Sequence, residues 1–560
     1  MNLRSNYEPG TSRWATRRAQ WLALGLSDED MAKPKIAIVN TSSQLAICFS
    51  HLDGIARRAK RAIELAGGIG FEIRTAAPSD FIHSAGHRGG YILSSRDLIT
   101  NDIEVQVEGA QLDGMICLAS CDKTAPGQLM AAARLNIPTI IVACGYQPSG
   151  TYKGRHCDIE DVFLAAGHVA NGRLSVDELT EMSENAVLGP GVCAGMGTAN
   201  TMHLACEALG MALPGSTPVR ANSEPMWRAV DQAARRIVEM VAENLRPRDI
   251  MTPAAFRNAV TAVLSVSGSI NSVKHLQAVS AEAECDADVY GLFERLADRV
   301  PLLTAIRPNG ETPIEDFEDA GGTRALMKQL EGLLDAGALT VTGRTVAENL
   351  AGVTVADDEV IRPPERALGR RPTIVLIRGS LCPDGGIVKL AVADDRRLDF
   401  AGPAIVFDSP AQALDAVRAG RVEAGQVVVL RGQGVTGSPG MGMASQLVFA
   451  LDGAGLTGQV AVVTDGQLSG LVNKGIVVGE VSPEAARGGP LALVRDGDII
   501  RIDVPGRTAD LDVPADELGR RRAALQGPAP TGEVGWLSVY QRLVRPLPEG
   551  AVLRPKEPTS

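Results

Sequence analysis

The stretch Cys121-Asp122-Lys123-Thr124-Ala125-Pro126-Gly127 places a thiol, a carboxylate and an amine at three consecutive positions. The apolar run Met115-Ile116-Cys117-Leu118-Ala119 leads into it and reads as a buried strand. Gln128 to Leu135 lead out with a helical pattern. Strand, sharp turn, helix is the place where an α/β sheet presents chemistry. Thr124 is placed to cap that helix, and Pro126 suits its first turn. A helix N-terminus favours negative charge just outside it, which predicts Cys121 as thiolate and Asp122 as carboxylate. Thiolate beside carboxylate points to a soft metal and a hard one side by side.

A chain of 560 residues is too long for one core, so two or more domains are expected. Its 45% hydrophobic residues, 4% aromatics and 60 glycines read as a soluble α/β protein with many tight turns. A net charge of -11, without a basic tract interleaved with aromatics, argues against nucleic-acid binding. No apolar run reaches the roughly 18 residues of a membrane span. Met1 to Arg18 lack an apolar signal core, which predicts a cytoplasmic chain. The nine cysteines include no Cys-x-x-Cys pair, so disulfide and zinc-ribbon frameworks are set aside.

Along the chain, Lys35 to Asn40 reads as a buried strand, followed by a loop holding Cys48 and a helix from His51 to Ala66. Pro138 to Ala143 is another short strand. The glycine-rich loop Gly189 to Gly197 carries Cys193 and opens a helix. Helical patterns dominate from Pro225 to Leu350. The charged, proline-bearing residues 356–371 read as a linker between domains at 1–355 and 372–560. Beyond it, short β-rich runs at 373–377, 404–407, 426–430, 460–463, 491–494 and 499–504 predict a smaller barrel or sandwich. Pro546 to Ser560 reads as a surface tail.

Cys48, Cys121 and Cys193 each lie in a loop that enters a helix. Any one alone reads as a packing cysteine; the trio points to metal ligation. Three thiolates suit an iron–sulfur cluster with one iron left open, and an open iron is a Lewis acid. Cys117, on the strand before Cys121, is a rival ligand whose apolar neighbours favour packing. Asp80 alone reads as a turn former. With Asp122 it has the makings of a Mg²⁺ site, which needs one or two carboxylates and keeps several waters. Lys123 reads as a counter-ion or, carbamylated, as an oxygen ligand. In Val463-Thr464-Asp465-Gly466-Gln467-Leu468-Ser469-Gly470 a strand ends in a turn with a serine at its tip. An ordinary Asp-Gly turn explains it; so does a base, if a Lewis acid stabilises the Ser469 alkoxide. The hydrolase elbow Gly-x-Ser-x-Gly does not fit, because this serine sits one position too late.

With these residues in view, the chain resembles the dihydroxy-acid and sugar-acid dehydratases across nearly its full length. The segments that carry the resemblance are Cys121-Asp122-Lys123 with Pro126-Gly127, Val192 to Met202, and Thr464 to Gly470 with Val481 to Ala485. Gly86-His87 and Ser94 to Ile99 are closer to the dihydroxy-acid branch. The resemblance implies a doubly wound α/β N-terminal domain, a β-barrel-like C-terminal domain, and an active site between them in a dimer or tetramer. It implies that Cys48, Cys121 and Cys193 hold a 2Fe-2S cluster, with 4Fe-4S as the alternative. It implies Asp80, Asp122 and carbamylated Lys123 on Mg²⁺, and Ser469 as the base that takes the C2 proton of a 2,3-dihydroxy acid on its way to a 2-oxo acid.

Four positions depart from the pattern. Met443 stands where the family has a glutamate ligand of magnesium, and a thioether does not replace a carboxylate on a hard cation. Gln467 replaces a usual arginine, and Leu471 and Val472 replace small or hydroxylated residues. Together they predict a pocket less charged and more apolar than usual. The expected activity is a hydro-lyase acting on a small hydroxy acid. The alternatives are a sugar-acid dehydratase and a non-catalytic, cluster-binding paralogue.

Overall fold

The computed structural model describes residues 3–86, 89–169, 172–392, 398–469, 472–473, 475–525 and 532–553. His87, Gly470, Leu471 and the end of the chain from 554 lie outside them.

The first sheet is built from β1 (Lys35–Asn40), β2 (Ile69–Arg74), β3 (Gly114–Ala119) and β4 (Thr139–Ala143). The strands run parallel in the order β2-β1-β3-β4. β1, β3 and β4 are buried at every position, which is why they read as continuous apolar runs. The crossover from β1 to β2 runs through α1 (Leu52–Leu65), and that from β2 to β3 includes α2 (Gly90–Ala110). The two crossovers step in opposite directions along the sheet, so right-handed connections place their helices on opposite faces. α1 buries Leu52, Ile55, Ala56, Ala59, Ala62 and Ile63, a single stripe at helical spacing. It stops at Gly67, whose φ of +89° suits glycine and lets Gly68 N–H donate back to Ile63 O at 2.9 Å. α3 (Thr124–Leu135) follows β3 and packs on α2. Their contact explains Gly127: a Cβ there would lie 2.8 Å from the Arg96 carbonyl oxygen.

A two-strand hairpin, β5 (Gly150–Tyr152) and β6 (Arg155–Cys157), precedes a largely helical region. The second sheet comprises β7 (Ile374–Ile377), β8 (Gly385–Lys389), β9 (Asp399–Phe407), β10 (Val427–Leu430), β11 (Ala461–Thr464), β12 (Ile476–Ser482), β13 (Ile499–Asp503) and β14 (Thr508–Asp512). Its order is β14-β13-β9-β10-β11-β12-β8-β7, with β9 to β12 parallel and the rest antiparallel. Arg378 N–H donates to Arg507 O at 3.0 Å, and Ala509 N–H donates to Arg378 O at 2.7 Å. These bonds join the end of β7 to the β13–β14 turn, so the sheet nearly closes on itself as a barrel. Alternate residues face opposite ways: Val427, Val429, Ala461 and Val463 fill the barrel, while Val428, Leu430 and Val462 join the core shared with the first sheet.

Three local expectations change. Leu491 to Val494 is not a strand; Pro490–Leu493 forms a 3-10 turn, started by a proline that cannot donate to a ladder. Thr124 does not cap α3. It is the first helical residue, and its hydroxyl accepts from Ser120 N–H at 2.8 Å and donates to Cys121 O at 2.9 Å, which tightens the turn instead. The described part of the C-terminal segment is not a surface tail. Leu547, Ala551 and Val552 are buried, and fully buried Arg96 donates to Gly550 O at 2.9 Å and Ala551 O at 2.8 Å.

Arg96 also pairs with Asp97 at 3.1 Å. Replacing one member of a buried ion pair leaves an uncompensated charge, so Arg96→Met is expected to cost about 3–5 kcal/mol. Denaturant unfolding measures that loss, and limited proteolysis should then cut within residues 546–553.

Candidate active site

The order β2-β1-β3-β4 puts the topological switch between β1 and β3, and ligands of such sheets bind beyond the carboxyl ends of the strands there. Each strand end delivers part of the site. Beyond β1, Cys48 sits in the single 3-10 turn Ile47–Phe49. Beyond β3 comes Cys121-Asp122-Lys123. Beyond β2, Asp80 opens a one-turn helix, Asp80–His83, rather than lying in open loop. Beyond β4, Val192 N–H donates to Gly145 O at 3.0 Å and Gln147 N–H to Val192 O at 2.8 Å, which carries Cys193 to the same place. The barrel adds Ser469 beyond β11 and Met443 beyond β10; Gln467 N–H donates to Gly442 O at 2.8 Å and ties those two loops together.

These elements enclose a cavity of about 150 Å³ between the two sheets. Asp80, Cys121, Asp122, Cys193, Met443, Gln467 and Ser469 all line it. Cys48 stands close enough to Cys121 to be the largest cause of its raised pKa. Ser120 Oγ donates to Cys48 O at 2.6 Å and locks the two cysteine loops together. Asn200 Nδ2 holds the third loop through Cys193 O at 2.9 Å and Gly195 O at 2.7 Å. Lys123 is wholly buried; its Nζ lies 3.0 Å from Asp80 Oδ2 and 3.9 Å from Asp122 Oδ2. Burial alone would depress its pKa, but Asp80 and Asp122 outweigh it and hold the ammonium charged. Ser469 is positioned by its own N–H, which donates to Ser445 Oγ at 2.7 Å.

Some sequence expectations are altered by burial. Cys121 is not held as thiolate by the helix end. Cys48 close beside it, burial, and the charges of Asp122 and Asp80 push its pKa well above the usual thiol value. Burial and then Glu160, Asp122 and Cys48 do the same to Cys193. Asp122 is pushed up to about 7, by burial and then by Asp80. Cys117 packs in the core, where burial raises its pKa, and does not line the cavity. Val472 also packs in the core rather than in the cavity wall. The expectation of a less charged pocket meets a residue the sequence reading passed over: Glu160, 5% exposed, lines the cavity with Asp80 and Asp122. The run Cys157-Asp158-Ile159-Glu160-Asp161 signalled an acidic helix start, but nothing in it told which carboxylate turns inward. Phe81 and Phe163, also unforeseen, line an apolar side with ring centroids 5.5 Å apart.

The donor set fits the groups expected of it. Three thiols and three carboxylates crowd a desolvated space, where Cys48 at Cys121, and burial followed by neighbouring anions at Cys193, Asp122 and Glu160, push the pKa up. Asp80 Oδ1 and Glu160 Oε2 are buried without a hydrogen-bond partner. Bound cations would reverse every one of these shifts. Among the described residues, the three thiols do not all lie within 4.8 Å of one another, a closeness met by His156, Asp158 and Asp161.

Among the described residues, no helix is long and apolar enough to cross a membrane. Residues 33–349 match the model of the dihydroxy-acid/6-phosphogluconate dehydratase N-terminal family, and residues 359–551 match that of its C-terminal family. A dihydroxy-acid dehydratase of Caldicellulosiruptor saccharolyticus is 40% identical over 542 residues, which cover 96% of this chain and 98% of that protein. Those of Moorella thermoacetica and Methanothermobacter thermautotrophicus are also 40% identical, over 542 and 541 residues, with the same coverage of both chains. With both family models matched and the strand ends converging on one cavity, the chain belongs to the dihydroxy-acid/6-phosphogluconate dehydratase family.

Proposed function

We propose that this enzyme removes water from a small 2,3-dihydroxy carboxylate and yields the 2-oxo acid. The observation that carries the reading is the single cavity in which the cysteine loops, the Asp80–Asp122–Lys123 group and Ser469 meet. Cys48, Cys121 and Cys193 would hold an iron–sulfur cluster, 2Fe-2S or 4Fe-4S, and Asp80, Asp122 and Lys123 would hold Mg²⁺; both supply Lewis acidity toward substrate oxygens when bound. Ser469 reaches the cavity from the barrel and, with its hydroxyl ionised, would take the C2 proton as the C3 hydroxyl departs and leaves the enol of the 2-oxo acid. Ser445 fixes the backbone of that turn, so the serine is oriented before substrate arrives. Asp122 is steadied by a hydrogen bond from Thr198. Thr198 is in turn held by Asn271 Nδ2 at 2.9 Å, and Asn271 by the buried Lys274, which pairs with Glu480 of β12. The barrel thereby helps set the position of a carboxylate on the other sheet.

Lys123 as an ammonium is the partner of Asp80; as a carbamate it would turn from counter-charge into oxygen donor. Phe81, Phe163 and Met443 form an apolar wall. That wall supports an alkyl-substituted dihydroxy acid over a sugar acid, whose hydroxyls would lie unpaired against it.

Protein purified without oxygen should convert 2,3-dihydroxyisovalerate to a 2-oxo acid and act more slowly on aldonic acids. Failure on the whole panel, with cluster and Mg²⁺ both present by metal analysis, would favour a binding paralogue. Ser469→Ala should lower kcat at least about a hundredfold while the visible spectrum of the cluster stays unchanged. Serine at Cys48, Cys121 or Cys193 should instead remove iron and the visible absorption together, read by iron quantitation.

A further inference from the structure

Glu160 lies in the first turn of α4 (Ile159–Val169), and its acidic neighbours all have structural work. Asp158 Oδ1 accepts from Glu160 N–H at 2.8 Å and Asp161 N–H at 3.1 Å, which caps the helix. Asp158 Oδ2 takes His156 Nε2 at 2.9 Å, and Asp161 is held by Arg307 at 2.8 Å. These partners make His156, Asp158 and Asp161 a structural knot. Glu160 is different: it points into the cavity, and its Oε2 is buried without a partner.

The glycine loop that carries Cys193 is shaped around this side chain. A Cβ at Gly197 would come within 2.8 Å of Glu160 Oε1, and one at Gly195 would come within 3.3 Å of Oε2. Burial, and then Asp158, Asp122 and Asp161, push the Glu160 carboxyl well above the carboxylate range. A buried carboxyl oxygen without a partner is costly, by about 1–3 kcal/mol or more, so its presence in the wall of a cation site calls for a role.

Distance decides which role. Two oxygens bound to one Mg²⁺ lie at most about 4.2 Å apart, twice the metal–oxygen bond. Among the described residues, Asp80, Asp122 and Glu160 do not bring three ligand atoms within 4.8 Å of one another. Asp80 and Asp122 both face Lys123 Nζ, at 3.0 and 3.9 Å, so the outlying member is Glu160, which faces the same space. Mg²⁺ keeps several of its waters, and those waters need acceptors.

We propose that Glu160 is a water-mediated ligand of the divalent cation, accepting through Oε2 a hydrogen bond from a water carried by the ion. The proposal rests on the cation site described above.

The test is an EPR titration of Mn²⁺ into anaerobically purified, cluster-loaded protein freed of divalent ions. Wild type is compared with Glu160→Gln and Glu160→Ala, and iron content and thermal unfolding are measured alongside. Loss of an outer partner weakens metal binding by about 10–100-fold. Glu160→Gln, which keeps the shape and loses the charge, should raise the Mn²⁺ Kd about tenfold, and Glu160→Ala should raise it further, with iron content unchanged. Wild-type affinity in both variants overturns the proposal. So does a loss of Mn²⁺ binding that merely follows a loss of iron, since Glu160 would then act through the Cys193 loop. Wild type that binds no Mn²⁺ removes the cation site and this role with it. Wild type that binds Mn²⁺ tightly but dehydrates nothing leaves the role of Glu160 standing and removes only the proposed activity.

Discussion

Concentrated negative charge in a desolvated space governs this molecule. Asp80, Asp122 and Glu160 share one cavity wall with Cys121 and Cys193, and the buried ammonium of Lys123 is set against Asp80 and Asp122. Taking carboxylates and thiolates out of water is unfavourable unless they are paired or bind cations. The chain by itself answers by holding protons: thiols well above their ordinary pKa, and Asp122 up to about 7. Such a site is unstable as a set of bare anions and comfortable as a set of ligands. Its rigidity comes from neutral bonds around it, such as Ser120 to the Cys48 carbonyl and Asn200 to the Cys193 carbonyl, which fix the loops whatever the charge state.

The two sheets divide the labour. The parallel sheet gathers four loops at the carboxyl ends of its strands, with the switch between β1 and β3 opening the crevice. The barrel repeats that logic with its own parallel strands, β10 and β11, whose following loops bring Met443 and Ser469. A site made between two such edges needs each sheet held in register with the other. The chain from Asp122 through Thr198, Asn271 and Lys274 to Glu480 supplies one such tie, wholly buried from Thr198 onward.

Much of this was readable in the sequence. β1, β3 and β4 are continuous apolar runs because both faces are covered, whereas the half-exposed edge strand β2 shows no such run and was missed. β8, β12 and β14 were missed because glycines dilute the first two and alternating Asp and Thr disguise the last. The cysteine trio was recognisable because three helix-entry loops shared one residue type. Glu160 was not, because its identity as an inward-facing carboxylate depends on the cap formed by Asp158, a matter of three-dimensional direction. Gln467 was marked as a departure, but its backbone pairing with the 442–444 loop depends on how two barrel loops meet. The segment from Pro546 was misread for a similar reason: proline-rich and polar in composition, it is buried by a contact with an arginine some 450 positions away.

That contact has a consequence for biosynthesis. During translation Arg96 emerges early, while the carbonyls of Gly550 and Ala551 that receive its guanidinium are made more than four hundred residues later. Asp97 is the neighbour of Arg96 from the outset, and His275 follows 179 residues later. The α2 surface that carries Arg96 therefore gains its full set of hydrogen bonds only when the last segment of the chain docks on it.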